Sequence, residues 1–156
     1  MDLLQAMKER HSVRSYKEKP IEAGTVERLR SFITECNKES GLHMQLVLDE
    51  FHAFKGFMAH YGKFSGVRNY IALIGRKGND LEEKCGYYGE RIVLYAQTLG
   101  LNTCWVALTC GKVKSAFQID PGENLCLGIV KYHFELGRER KIFAGCDLHP
   151  AFFTKF

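Results

Sequence analysis

Proline and tryptophan are scarce in this chain of 156 residues, with only three prolines and the single Trp105. No proline-rich or low-complexity spacer divides the sequence, and its length fits one compact domain. Long apolar runs are absent too, none approaching the roughly 20 residues needed to cross a bilayer. The opening MDLLQAMKER lacks the apolar core of a secretory leader and has an acid at position 2. It does not read as a targeting signal, so the expected location is cytoplasmic. The six cysteines (Cys36, Cys85, Cys104, Cys110, Cys126 and Cys146) form no CxxC pair. Without paired Cys/His spacing they read as reduced, mostly buried thiols, and no metal site is expected. An excess of one charge is missing as well, since 22 basic against 18 acidic residues leave a net +4. The resulting pI of about 8.7 falls short of the value above about 9 typical of a dedicated nucleic-acid domain. What the chain does have is apolar material, 46% hydrophobic and 12% aromatic, ample for a packed core.

Periodicity divides the chain into alternating helices and strands. Asp2 can cap a short helix over 2–10, with Leu3, Leu4 and Met7 on one face. A second helix from about Thr25 repeats Val26, Leu29, Ile33 and Cys36 and stops at Gly41. Strand-like alternation follows in HMQLVLDE, and the apolar run NYIALIG reads as a buried strand. The aromatic- and Gly-rich stretch 51–67 between them has no clear periodicity. Asp80 can cap a long helix through about Leu99, placing Cys85, Tyr88, Ile92, Tyr95 and Leu99 on one face. Gly100 ends it, TCWVAL is the next strand, and a short helix over Lys112–Phe117 and an IDPGEN turn precede the strand LCLGIVKY. The pattern implies an α/β or α+β domain with helices packed on a sheet.

The chemistry-bearing stretch is KERHSVRSYKEKP, residues 8 to 20. In an extended segment side chains at i, i+2 and i+4 share a face. Arg10, Ser12 and Arg14 would then present two guanidinium forks and a hydroxyl, a donor set suited to phosphate. A solvated basic face after a helix C-terminus, or an arm for a polyanion, accounts for the same residues. Elsewhere, Gly86 and Gly89 inside the long helix cost roughly 1 kcal/mol each relative to Ala, which points to close helix packing of the kind a dimer would make. Met7, Met44 and Met58 read as core filling, and Trp105 as a core or interface anchor. His52, His60, His133 and His149 have no partner at metal-ligand spacing.

Arg10, His11, Ser12, Arg14 and Tyr16, followed by Ala96, Leu99, Gly100, Leu101, Thr103, Cys104 and Trp105, resemble two motifs of the FMN-dependent nitroreductase family. These are its R-[RH]-S-x-[RK]-x-[FY] stretch and its A-x-x-L-G-L-G-T-C-W segment. The resemblance covers about residues 1–130 of a single domain, 1–156, and leaves 131–156 as a divergent tail. It implies an α+β sandwich, with a mostly antiparallel central sheet flanked by helices, forming an intertwined homodimer with FMN at each interface. It gives Arg10, His11, Ser12 and Arg14 to the phosphate and ribityl chain, with Arg14 also near the N1/O2 edge of the flavin ring. Backbone at Trp105, Val106 and Ala107 falls to the N5 side, and Lys63 and Phe64 to the loop beside the flavin. The implied activity is a ping-pong transfer of two electrons from NADH or NADPH to a nitroaromatic, quinone or similar acceptor, with the chemistry supplied by the cofactor. No catalytic acid or base is therefore named.

Three features depart from the family pattern, and one is length: the family usually runs longer and ends with a basic pair near the phosphate and an arm embracing the partner subunit. The family's N-S-Q-P-W-type segment, whose Asn and Gln help to hold flavin, is replaced by NKESGLHMQLVL, where Asn37 and Gln45 are spaced differently. The end of the chain, KYHFELGRERKIFAGCDLHPAFFTKF, also differs; Arg138, Arg140 and Lys141 there stand either for the family's basic pair or for a solvated turn. These departures keep open a degenerate relative with weak or no flavin binding, serving as an interaction or storage module.

Overall fold

The centre of the fold is a strand whose two faces are both apolar. A computed structural model describes residues 1–16, 19–50, 52, 66–106 and 116–133, with 127–133 described through their backbone alone. In it, β1 (Gln45–Val47), β2 (Asn69–Arg76), β3 (Leu101–Val106) and β4 (Glu123–His133) form a four-stranded sheet in the order β1-β2-β4-β3. Every pairing in it is antiparallel. Along β2, Ile71 and Leu73 pack into one apolar cluster while Tyr70, Ala72 and Ile74 pack into another. A strand covered on both sides reads as a continuous apolar run, which is why NYIALIG shows no polar alternation.

Two helices cover the first face. α1 (Leu3–Glu9), α2 (Ala23–Ser40) and α3 (Leu81–Thr98) are the helices among the described residues. Leu29, Ile33 and Cys36 of α2 meet Cys85, Ile92, Val93 and Ala96 of α3 over Ile71, Leu73 and Leu101. Leu29, Ile71, Leu73, Ile92 and Leu101 are all fully buried. Such side chains contribute about 1.5–3 kcal/mol each relative to exposure. The opposite face holds Val47, Tyr70, Ala72, Ile74, Val106 and Phe117, with Tyr16 packed against them. The expected α+β architecture, with helices on a mostly antiparallel sheet, is thus present.

Helix ends follow their sequence signals with informative exceptions. Asp2 accepts the Gln5 N–H at 2.8 Å as N-cap of α1. Gly41 ends α2 in the left-handed region (φ 71°), its N–H donating to the Asn37 carbonyl at 2.9 Å. Asp80 precedes α3 but makes no capping bond; its carboxylate instead pairs with the Lys84 ammonium at 2.8 Å. That pairing holds the Asp80 carboxyl below its ordinary range. α1 reverses the expected orientation. Leu3, Leu4 and Met7 are 54%, 70% and 57% exposed, while Ala6 is fully buried. The helix therefore seats its small side chain inward and leaves the large apolar ones outside, so Met7 does not fill the core. Met44 does, at 2% exposure, and Met58 lies outside the described residues.

At the start of β4, Glu123 Oε2 accepts from His43 Nδ1 (2.9 Å) and from the Asp120 N–H (3.0 Å), which closes the turn. Further along, β2 and β4 slip by one residue: Leu73 faces Leu127 and Ile74 faces Leu125, leaving Cys126 without a partner on β2. The short helix expected over Lys112–Phe117 lies largely outside the described residues, and Ala116 and Phe117 at its end form a turn and bend. The stretch 51–67 is described only at His52, Gly66 and Val67.

Candidate functional site

The two motif segments lie 87 residues apart in sequence between Tyr16 and Thr103, yet the fold sets them side by side. α1 ends as the Arg10 N–H donates to the Ala6 carbonyl at 2.9 Å, and Arg10 itself turns extended (φ −60°, ψ 130°). The chain then runs along the outer edge of β3. Ser12 forms a parallel bridge with Thr103, and the Val13 N–H donates to the Thr103 carbonyl at 3.2 Å. This backbone pairing covers an edge that would otherwise present unpaired donors and acceptors.

Side chains reinforce the contact. Glu90 of α3 holds both segments: its Oε2 accepts from the Trp105 indole N–H at 2.9 Å, and its Oε1 lies 3.7 Å from Arg10 Nε. Gly89, one residue earlier, provides the seat for the indole. A Cβ there would collide with Trp105 Cη2 and stand 3.1 Å from Leu73 Cδ1. The close packing expected of Gly89 is therefore real but internal to the chain, whereas a Cβ on Gly86 would meet nothing within 4 Å. Arg10 Nη1 and Thr103 Oγ1 are both buried and find no hydrogen-bond partner among the described residues. Buried polar atoms are ordinarily satisfied, so this is where a ligand with acceptor oxygens would relieve a cost.

Beyond the bridge the segment passes to the second apolar cluster. Tyr16 packs there and its hydroxyl donates to the Val13 carbonyl. Burial pushes its phenol well above the ordinary range, with Cys104 adding to the rise and Arg14 opposing it. Gly66, in the left-handed region (φ 70°), lies against the Tyr16 backbone, leaving no room for a Cβ. His11 is exposed, with Nδ1 3.1 Å from the Glu9 carbonyl oxygen. Ser12 is exposed and Arg14 half-buried. Trp105 directs its ring to α3, and Val106 is buried on the other face. Lys63, Phe64 and Ala107 lie outside the described residues.

Asn37 and Gln45, the amides in the region where the family pattern places its flavin-holding Asn and Gln, are occupied elsewhere. Asn37 donates to the Met44 carbonyl and accepts from the Met44 N–H, both at 2.9 Å. Gln45 donates to the Gln118 carbonyl at 2.6 Å and accepts from its N–H at 2.9 Å. Each spends its amide on backbone in place of a strand partner. Among the described residues His43, Asp120 and Glu123 bring ligand-type atoms within 4.8 Å of one another. His43 and Glu123 bond to each other, and Asp120 Oδ1 accepts from Gln118 Nε2 at 2.7 Å. The link between the two segments that sequence reading missed is Glu90. Its only signal was the Gly-Glu pair inside an apolar helix pattern.

The profile of the family described as "Putative TM nitroreductase" matches residues 2–127. Among solved structures, the chain resembles an FMN-dependent nitroreductase from Clostridium difficile R20291 (TM-score 0.67, 17% identity, 95% of each chain covered). It also resembles a nitroreductase family protein from Clostridium novyi NT (TM-score 0.66, 15% identity, 86% of each chain). A third is a nitroreductase with bound FMN from Bacteroides fragilis NCTC 9343 (TM-score 0.63, 17% identity, 94% of this chain and 97% of that one). Comparison with curated proteins gives no match.

Proposed function

The chain belongs to the nitroreductase family, and from that premise we propose that it is an FMN-dependent oxidoreductase acting as a homodimer. The observation that carries the reading is the Ser12–Thr103 bridge, which joins the two motif segments beside Arg10 Nη1, buried with no partner among the described residues. A guanidinium N–H with no acceptor among the described residues, in a segment that also holds His11, Ser12 and Arg14, fits a phosphate. In this reading Arg10, His11, Ser12 and Arg14 hold the phosphate and ribityl chain. Arg14 also places positive charge toward the ring edge, and the backbone at Trp105, Val106 and Ala107, with Lys63 and Phe64, borders the ring. Glu90 keeps Arg10 and Trp105 in place from behind.

When bound, FMN would supply two-electron chemistry, taking hydride from NADH or NADPH and passing it to a nitroaromatic, quinone or similar acceptor in ping-pong order. The protein's part is to position and charge-tune that group in one domain spanning 1–156. The homodimer is supported by α1, whose Leu3, Leu4 and Met7 form an outward apolar face. No helix among the described residues is long and apolar enough to cross a membrane, which is compatible with work in the cytoplasm.

The purified protein should be yellow, or take up added FMN, and should bleach with NADH or NADPH under anaerobic conditions. A colourless protein that takes up no FMN would refute the reading. The engagement of Asn37 and Gln45 with backbone favours a second reading, a relative that binds flavin weakly and serves another role. Bound FMN that neither nicotinamide reduces would select it.

A further inference from the structure

We propose that Glu90 is a positioning residue that sets the affinity of the phosphate contact, holding Arg10 from one side so that Nη1 stays presented to an anionic oxygen. The inference rests on the flavin reading above and deepens it, because it assigns phosphate discrimination to a side chain that itself touches no ligand.

Three elements meet at this carboxylate. The indole N–H of Trp105, on β3, donates to Oε2 at 2.9 Å, and Oε1 stands 3.7 Å from Arg10 Nε in the segment after α1. Each oxygen thus has its own partner. Among the described residues Glu90 is the one carboxylate paired with Arg10. The pairing engages the Nε side of the guanidinium, while Nη1 is buried with no partner among the described residues. A planar fork already held on one side has little rotamer freedom left to lose when its other side donates to a phosphate oxygen. Without the brace that freedom is lost on binding, and affinity falls.

The carboxylate is oriented in its turn. The indole rests on Gly89, where a Cβ would collide with Trp105 Cη2, and the ring packs against the cluster beneath α3. A ring so seated fixes Oε2 and leaves Oε1 for Arg10. Charge taken alone argues the other way, since a carboxylate near a phosphate site repels the anion. That repulsion acts through solvent at a partly exposed side chain and fades over a screening length of about 8–10 Å. The contact with Arg10 is direct, so positioning outweighs repulsion. A partly exposed ion pair of this kind is worth about two- to fivefold in affinity.

Chemistry can separate the two oxygens. In Glu90→Gln the side-chain carbonyl still accepts from the indole, but the amide NH2 then faces Arg10, donor against donor. In Glu90→Ala both contacts are gone.

The test measures FMN and riboflavin affinities of the full-length protein by quenching of flavin fluorescence, with Trp105 emission recorded in the absence of flavin. Riboflavin has the ring and ribityl chain but no phosphate. Glu90→Gln should weaken FMN by about two- to fivefold, leave riboflavin unchanged and keep the wild-type emission. Glu90→Ala should weaken FMN at least as much and shift the emission. In an Arg10→Ala background, Glu90→Gln should have no further effect on FMN. Equal weakening of both flavins by Glu90→Gln would mark a merely structural role, and tighter FMN binding would mark the charge as repulsive; either overturns the proposal. Persistence of the full Glu90→Gln effect without Arg10 overturns it too. A wild type that takes up neither flavin fails the flavin reading itself, and the proposal with it.

Discussion

Gly86 and Gly89 sit three residues apart in α3, and the same substitution should act on them in opposite directions. In an open helical position, replacing Gly by Ala gains about 0.5–1 kcal/mol from backbone entropy and helix propensity. Gly86 is such a position, because its added Cβ would meet nothing within 4 Å. At Gly89 the methyl runs into the far edge of the Trp105 ring and comes within 3.1 Å of Leu73 Cδ1. Overpacking of this kind costs typically about 1–3 kcal/mol. The indole cannot simply swing aside, since its N–H is bonded to the Glu90 carboxylate at 2.9 Å, and a bond to a charged group is worth about 1.5–3 kcal/mol. Subtracting the helix gain, Gly89→Ala should destabilise by about 1–2 kcal/mol. For a chain of this size that lowers Tm by about 2–8 °C, while Gly86→Ala should raise it by about 1–4 °C. Trp105 is the only tryptophan, so its fluorescence reports the site without background. Gly89→Ala should shift its emission and Gly86→Ala should not. Equal stabilisation by both variants, with emission unchanged, would refute the seat that Gly89 is argued to form.

Two further substitutions probe the N-terminal segment. Gly66→Ala combines a left-handed backbone (φ 70°) with a collision against the Tyr16 backbone, and should lower the urea midpoint by the equivalent of about 2 kcal/mol or more. A midpoint within error of wild type would separate Gly66 from Tyr16. Tyr16→Phe should show its effect in the pH profile, because burial raises the folded-state pKa of the phenol. Its contribution is fully present below the unfolded value of about 10 and is lost above it, where the unfolded chain releases a proton that the folded chain keeps. Wild-type stability should therefore fall relative to Tyr16→Phe by about 1.4 kcal/mol per pH unit above about pH 10. Parallel urea profiles from pH 8 to 11 would refute the burial of that hydroxyl.

The helices and the buried strand were legible because their signals are local. Asp2 and Gly41 act where their side chain or missing Cβ predicts, and Ile71, Leu73 and Ile92 follow the apolar period into the core. α1 misleads for a physical reason: periodicity reports that Leu3, Leu4 and Met7 share a face, not what covers that face. Asp80 misleads because a carboxylate that can cap can also pair with Lys84 one turn on, and the ion pair wins here.

The candidate site divides in the same way. Its donors were readable, since Arg10, His11, Ser12 and Arg14 stand in one short extended stretch. What sets them beside Thr103 is an edge pairing between segments remote in sequence, and what braces Arg10 is Glu90 on a third element. Asn37 and Gln45 show the converse. Their spacing raised the question of whether they could take the role of the family's amides, and the fold answers with a competing use. Both side chains satisfy backbone groups of a three-residue edge strand and its neighbours. So short a strand cannot satisfy all its flanking donors through the ladder alone, and an unpaired buried amide costs about 1–3 kcal/mol. Turning Asn37 toward a ligand would reopen part of that cost, since its two bonds are partly buried, whereas those of Gln45 lie exposed. Under the proposed reading, FMN would then be held by the basic segment beside β3 without help from these two amides.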